Sequence, residues 1–190
     1  MNDVQNLIQD IDEHVQRGWK ICLNFGFGTK PISGFFNIDR PREHMWGGYF
    51  FDWLKAPLPI DDERVDFAFS EDMIEHLTQQ EQILYLAEVL RVLKPGGVHR
   101  INTPDLLWSM SRSDFRKGWV GVYDEWSIYG HQCVLTFTSL YEIALMVGYK
   151  SIRKCQKETW EHRPGPDRDS QHGNIIVELM KEAVDSPKTP

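Results

Sequence analysis

Residues 65–105 limit the fold of this chain more than any other segment. They predict a buried strand at 65–69, an amphipathic helix at about 79–93 and a second strand at 98–102. The apolar residues of that helix share one face at helical spacing: Ile83, Leu86, Ala87, Leu90 and Leu93. Two parallel strands joined by a crossover helix are half of a doubly wound α/β domain. The predicted fold class is therefore α/β, a single Rossmann-like doubly wound sheet with helices on both faces.

In such a sheet, ligands bind outside the carboxyl ends of the strands. The two ends that this segment supplies are residues 70–73 and 102–105. The Lys-Pro-Gly-Gly run at 94–97 is predicted to end the helix, since glycine is the usual residue beyond a helix C-terminus. We therefore expect the functional site beside these two strand ends.

Other apolar runs complete the organisation of the chain. Strands are predicted at 20–24, 34–39, 49–52, 151–156 and 174–180, and helices at 4–15 and 138–147. The last helix is predicted to be capped by Thr138 or Ser139, with Glu142 as the capping-box partner. We expect an N-terminal amphipathic helix (1–18), one domain (19–182) with an aromatic insertion at 106–131, and a polar tail (183–190). The insertion either packs a small core of its own or forms a lid over a substrate.

Composition excludes several classes of protein. The formal charge of −7 argues against a nucleic-acid surface, which is normally basic. No apolar run approaches the roughly 18 residues that span a bilayer, so we expect no membrane span. The acidic N-terminus lacks the basic region of a signal peptide, which favours a cytoplasmic protein. Three widely spaced cysteines suggest neither disulfides nor a zinc site, and we expect no metal. Any homo-oligomer is expected to form through the N-terminal helix.

A glycine-containing loop follows the first predicted strand. Gly26 and Gly28 allow a backbone to pass close to a ligand, although a turn would need them too. The next strand ends in Asp39, where a carboxylate can accept hydrogen bonds from both hydroxyls of a ribose. A dinucleotide such as NAD is disfavoured, because Pro31 stands where its fingerprint needs a third glycine and no helix fits before the second strand. Nucleotide-dependent oxidoreduction is therefore the weaker alternative.

Six segments in order carry a family resemblance: LNFGFG (23–28), GFFNID (34–39), the acid Asp52 before APLP, VDFAFSEDMIEHL (65–77), EVLRVLKPGGVHRINTPDL (88–106) and SLYEIALMVGY (139–149). In these segments the chain resembles the class I S-adenosylmethionine-dependent methyltransferases of the compact bacterial, methyltransferase type 11-like kind. The resemblance implies seven strands with an antiparallel last strand. It also implies methyl transfer from S-adenosyl-L-methionine, with S-adenosyl-L-homocysteine as product, to a hydroxyl or amine of a small-molecule or saccharide-like substrate.

The same resemblance implies the cofactor site. Gly26 and Gly28, with Asn24 and Phe25 beside them, would lie under the methionine part, and Asp39 would bind the ribose. Asp52 and Trp53 would meet the adenine edge, and Ser70 and Glu71 would line the sulfonium side.

Three residues are candidates for a general base: Asp72, Asp105 and His131. His131 precedes the last helix, where related chains place a histidine near the pocket, and its ordinary pKa suits proton transfer near neutrality. It could equally be a surface or capping histidine, and Asp105 could cap the next helix. His76 is interpreted as structural.

Two departures from the family pattern leave a second hypothesis open. Phe27 stands between the glycines, where the family often has a small residue or cysteine, and Asp72 replaces a frequent histidine. A catalytically silent, methyltransferase-like domain that binds a partner is therefore the alternative, and a Phe27 ring in the methionine pocket would favour it.

Overall fold

Seven strands form one sheet in the order β3-β2-β1-β4-β5-β7-β6. The computed structural model describes residues 3–41, 46–112, 114, 121–156 and 173–183. The strands are β1 (Cys22–Phe25), β2 (Phe36–Asp39), β3 (Tyr49–Phe50), β4 (Val65–Glu71), β5 (Leu93–Pro104), β6 (Ser151–Cys155) and β7 (Asn174–Met180). The helices are α1 (Asp3–Gln16), α2 (Gln79–Val92), α3 (Leu106–Ser111), α4 (Gly121–Ser127) and α5 (Phe137–Val147), with a 3-10 turn at Ile74–His76.

The strand directions confirm the predicted fold class. The first five strands pair in parallel, and β7 runs antiparallel to both β5 and β6. The order reverses at β1, which lies between β2 and β4, so the carboxyl ends of β1 and β4 meet at a topological switch point. A ligand crevice is expected there in an open α/β sheet.

Two apolar clusters cover the sheet. The larger one includes Phe25, Ala68, Tyr85 and Val89, and it joins the sheet to α2 and α5. The smaller one lies on the other face and includes Phe67 and Phe69. Alternate residues of β4 therefore face opposite layers, as the two-residue period of a strand requires.

The segment after α2 differs from the prediction. The helix ends at Val92 and β5 begins at once, because Leu93 is already extended (ψ 137°). Val65 pairs with Leu93 but Phe67 pairs with Val98, so residues 94–97 bulge from the ladder instead of ending the helix. A residue before proline avoids the helical region, which explains why the helix cannot reach Lys94.

The start of α5 is also corrected. Its N-cap is Thr136, whose hydroxyl accepts a hydrogen bond from the Ser139 backbone, and Ser139 bonds back to the Thr136 backbone. Neither Thr138 nor Ser139 is therefore the N-cap, and Ser139 instead of Glu142 is the capping-box partner; the helix begins earlier, at Phe137. Serine acts here as the short equivalent of the expected glutamate.

Helix α1 packs against the domain through Leu7 and Ile11, which are buried, while Ile8 and Val15 are exposed. The Asp10 carboxylate also accepts a hydrogen bond from the Tyr49 hydroxyl. Among the helices described, none combines the length and apolar character required for crossing a bilayer. The domain boundaries given above stay a prediction.

Candidate active site

The glycine loop after β1 curls around the carboxylate of Asp39. Gly26 and Gly28 have φ of 66° and 55°, a left-handed conformation that favours glycine. The Gly28 N–H donates to Asp39 Oδ2 (2.9 Å) and the Arg40 N–H donates to Asp39 Oδ1 (2.7 Å). A Cβ added to Gly28 would meet no atom within 4 Å. The loop is therefore fixed to the acid at one point and open beside Gly28.

Asn24 and Phe25 serve the sheet with their side chains. Asn24 Nδ2 donates to Asn37 Oδ1 (2.8 Å), which also accepts from the Ile32 N–H. This network holds the short connection between β1 and β2. The Phe25 ring packs edge-on against Trp53 and Tyr85 in the core. Asn24 and Phe25 can therefore meet a cofactor only through their backbone.

Asp52 and Trp53, the predicted adenine contacts, face different surroundings. Asp52 is paired with Arg40 (3.3 Å) and Lys55 (3.2 Å) and keeps part of its side chain in solvent. Trp53 is only 5% exposed, and its indole N–H has no hydrogen-bond partner among the described residues. A buried donor without a partner is costly, so a ligand acceptor at this point would be stabilising.

The carboxyl ends of β4 and β5 are joined by polar side chains. Asn102 Nδ2 donates to Glu71 Oε1 (2.8 Å), and Asn174 Nδ2 donates to Asp72 Oδ1 (3.0 Å). Asp72 has a φ of 48°, which aspartate tolerates better than most residues. Ser70, by contrast, is 1% exposed and faces the core near Tyr85. Glu71 and Asp72 thus line the strand end, whereas Ser70 belongs to the packing.

Phe27 lies away from the β4 end. Its ring packs near Phe50, and a Cβ on Gly48 would lie 2.5 Å from it, so it occupies the β3 side of the loop. Met73 instead covers Gly26, since a Cβ there would lie 2.1 Å from Met73 Cγ. The residue beside the glycine loop on the β4 side is therefore a flexible methionine, which repacks easily.

A cavity of about 220 Å³ opens beyond the ends of β4 and β5. Its lining combines carboxylates, imidazoles and aromatic rings: Asp72, Glu75, His76, Trp108, Glu125, Tyr129 and His131. The 3-10 turn contributes Glu75 and His76, and the segment from α3 to His131 contributes most of the remainder. The predicted insertion therefore forms one wall of this cavity.

Backbone hydrogen bonds bring His131 to Glu75. The N–H groups of Gln132 and Cys133 both donate to the Glu75 carbonyl, at 2.8 and 3.0 Å. His131 Nδ1 lies 2.9 Å from Glu125 Oε2, and Glu125 accepts a second hydrogen bond from the Ser109 hydroxyl. The carboxylate fixes the imidazole with its proton on Nδ1, which leaves Nε2 as an acceptor toward Glu75.

Glu75 is fully buried, and sequence reasoning missed it. Burial, with a smaller contribution from the charge of Asp72, raises the pKa of its carboxyl to about 8. The Thr103 hydroxyl donates to Oε2 (2.8 Å), whereas Oε1 has no hydrogen-bond partner among the described residues. Its position just after a predicted strand end, beside a histidine, was the available signal.

Asp105 has the capping role that was one of its two alternatives, whereas His76, interpreted as structural, lines the cavity. Asp105 is the N-cap of α3 and accepts from the Leu107 N–H (3.0 Å), and it does not line the cavity. His76 does line the cavity, where its ring lies edge-on to that of His131 with centroids 4.7 Å apart. Of the three candidate bases, Asp72 and His131 are brought together at the cavity and Asp105 is not.

Comparison with known proteins agrees with this geometry. Residues 52–101 match the family model described as "Methyltransferase domain". One curated relative, a "Probable S-adenosylmethionine-dependent methyltransferase" of Mycolicibacterium smegmatis, is 44% identical over 50 residues, which is 26% of this chain and 19% of the relative. The match thus spans about a fifth of the length of that relative.

Solved structures match over most of the chain. A SAM-dependent methyltransferase from Archaeoglobus fulgidus gives a TM-score of 0.57 at 12% identity and covers 94% of both chains. Another from Thermotoga maritima, described as a "possible histamine N-methyltransferase", gives 0.58 at 17% identity, covering 85% of this chain and 82% of that one. The fold is that of the class I S-adenosylmethionine-dependent methyltransferases. The resemblance predicted from the sequence is confirmed for residues 52–101, which are similar to a methyltransferase domain, and for the fold, which the solved structures share.

Proposed function

We propose that the chain transfers a methyl group from S-adenosylmethionine to a hydroxyl or amine of a small-molecule or saccharide-like acceptor. The observation that carries the proposal is the glycine loop closed around Asp39 at the switch point of the sheet. It lies on the same edge as the polar cavity beyond β4 and β5. A cofactor and an acceptor could therefore meet at that edge.

The residues on this edge fit S-adenosylmethionine. Gly28 is open on its Cα side, Asp39 and Asp52 are acceptors suited to hydroxyl and amine groups, and Glu71 is an anion suited to a sulfonium. The unpaired indole N–H of Trp53 is the buried donor that a ligand acceptor would satisfy. When bound, the cofactor supplies a methyl carbon already activated by a sulfonium.

The protein's own contribution is to position the acceptor and to manage its proton. Alignment of two reactants accounts for most of what such an enzyme must do. His131, oriented by Glu125 (2.9 Å), presents Nε2 to the cavity and is the group placed to take a proton from an acceptor. Trp108 and Tyr129 supply apolar surface against which a ring could lie.

Calorimetric titration with S-adenosylmethionine and S-adenosylhomocysteine tests the cofactor. The Asp39→Asn variant is expected to bind about 10- to 100-fold more weakly, because it loses charge-assisted hydrogen bonds worth about 1.5–3 kcal/mol. Asp61→Asn, at an exposed acid before β4, is the matched control and should bind as the unmodified chain does. No binding of either compound at high micromolar concentration would overturn the proposal, and unchanged binding by Asp39→Asn would overturn the placement.

The second candidate function is a silent domain that binds a partner. Met73 over Gly26 favours it, because a ligand approaching that glycine needs the methionine to change rotamer. The content of the purified native protein distinguishes the active enzyme from the silent domain, because co-purified S-adenosylhomocysteine would support the enzyme. The cytoplasmic location, the lack of nucleic-acid partners and self-association through α1 stay predictions.

A further inference from the structure

We propose that Glu75, His76 and His131 bind a divalent transition-metal ion at the floor of the cavity. This proposal differs from the expectation, drawn from cysteine spacing, that the chain carries no metal. One potential ligand atom from each residue lies within 4.8 Å of the other two. The set is two imidazoles and one carboxylate, which suits Zn²⁺, Fe²⁺ or Co²⁺ better than Mg²⁺ or Ca²⁺. The metal site extends the proposed function. Metal binding itself does not depend on methyl transfer, but the role of the ion in the reaction rests on the proposed function.

The distances allow a shared ion after a side-chain adjustment. In a tetrahedral site, two ligand atoms that each lie about 2.1 Å from the ion are about 3.4 Å apart. His131 Nε2 and Glu75 Oε1 are 3.8 Å apart, close to that separation. The other separations, of up to 4.8 Å, must shrink by up to about 1.4 Å. His76 is exposed, so its side chain can make that movement without repacking the core.

The unpartnered oxygen of Glu75 is the independent observation that points to a ligand. Glu75 is 0% exposed, yet its Oε1 has no hydrogen-bond partner among the described residues, while Oε2 is held by Thr103. A buried carboxylate oxygen without a donor is unfavourable, and a cation would satisfy it. Asp72 and Glu125 line the same cavity and add negative charge around the site.

The surroundings of His131 are those of a metal ligand. Its Nδ1 donates to Glu125 Oε2 (2.9 Å), which directs the Nε2 lone pair into the cavity, and Glu125 is fixed in turn by Ser109. Carboxylate-supported imidazoles of this kind orient metal ligands in proteins. With three protein ligands, the ion keeps open positions on the cavity side, where an acceptor oxygen could bind. With the ion bound, His131 would hold the ion in place of the base role described above, and Asp72, the other candidate base at the cavity, would take the proton of the acceptor.

Metal binding can be measured without the cofactor. The protein is stripped with chelator and titrated with Co²⁺, and binding is followed by calorimetry and by the visible absorption of the bound ion. We expect one Co²⁺ per chain. Glu75→Gln and His76→Gln should each weaken binding by at least about tenfold, and Glu125→Gln by about 10- to 100-fold, since it removes the group that orients His131. His14→Gln, at a histidine far from the cavity in sequence and packed against Trp19, should change nothing.

His76 is exposed, so His76→Gln is expected to fold normally and keeps the test meaningful if the buried variants unfold. Absence of one-to-one Co²⁺ binding would overturn the proposal, and so would equal affinity of His76→Gln and the unmodified chain. Titration of the stripped protein with S-adenosylmethionine separates the two proposals. Cofactor binding without Co²⁺ binding would overturn only the proposal of a metal site. Co²⁺ binding without cofactor binding would overturn only the proposal of methyl transfer.

Discussion

His99 should make the stability of this domain fall steeply in mild acid. The ring is fully buried between two tyrosine hydroxyls, with Nε2 3.0 Å from Tyr85 and Nδ1 3.2 Å from Tyr149. The Tyr149 hydroxyl donates to the Leu86 carbonyl, so it accepts from the imidazole, and Tyr85 donates to the other nitrogen. Both ring nitrogens are therefore satisfied in the neutral form, and a second ring proton would face a donor.

Burial lowers the pKa of His99 from 6.5 to about 3 in the folded state. The unfolded chain then binds more protons than the folded one below pH 6.5, so the free energy of unfolding falls as the pH falls through this window toward 3. A pH of about 5 lies roughly 1.5 units below the unfolded-state pKa, so the free energy of unfolding is lower there by about 2 kcal/mol. Above the unfolded-state pKa, the contribution of His99 to the free energy of unfolding no longer changes with pH.

Urea unfolding followed by tryptophan fluorescence, at about pH 7.5 and about pH 5, measures this term. The unmodified chain should lose about 2 kcal/mol more than His99→Gln between the two conditions. His14→Gln should behave like the unmodified chain, since it keeps the buried imidazole. Equal losses in the unmodified chain and in His99→Gln would refute the reasoning, whatever the absolute stability of the variant.

Two further changes test the packing of the sheet and of the glycine loop. The Glu178 carboxylate accepts hydrogen bonds from the fully buried Arg100 (2.8 Å) and from Arg153 (2.8 Å). In urea titrations, Glu178→Gln should therefore lower the free energy of unfolding by about 3–5 kcal/mol. Arg153→Gln, at the half-exposed partner, should lower it by about 1 kcal/mol or less. Equal costs would contradict the idea that the loss of the Glu178 charge beside the buried Arg100 dominates. Gly26→Ala should lower the melting temperature more than Gly28→Ala, because both have positive φ but only Gly26 is covered by Met73; equal shifts would show that Met73 does not restrict this position.

The fold could be predicted from the sequence because its evidence is local. Apolar runs of strand length, the periodic face of α2 and the segments around Gly26 and Asp39 each contain their own signal. The errors at the start of β5 and at the N-cap of α5 are shifts of an element's boundary, where proline geometry and a short capping serine decided between neighbouring positions. Cofactor residues at strand ends were predicted by position, but position does not give the direction of a side chain. For that reason the Asn24 side chain forms a hydrogen bond within the sheet and the Ser70 side chain faces the core, instead of facing a cofactor.

The cavity was harder to predict because its contacts are distant in sequence. Glu75 depends on Thr103 for one oxygen and faces His131, which is 56 residues away from it in the chain. Its raised pKa arises from burial, which no local pattern reveals. His76 was interpreted as structural because it was expected to hold the start of the helix that follows it. The aromatic insertion gave a better signal than any single residue, since it predicted where a wall would form.

The two regions of the site are built in different ways, and this difference bears on how they can vary. The glycine loop is tied to the end of β2 by two hydrogen bonds, from the Gly28 N–H to the Asp39 carboxylate and from the Gly26 N–H to the Ile38 carbonyl, so its arrangement follows from the β1–β2 connection itself. The cavity instead depends on Ser109, Glu125 and His131, all within the insertion or at its end, acting on Glu75 of the core. A change in the insertion can therefore alter the shape and charge of the cavity while it leaves the glycine loop intact. This is the arrangement expected where one fold serves many substrates through variable segments at its strand ends.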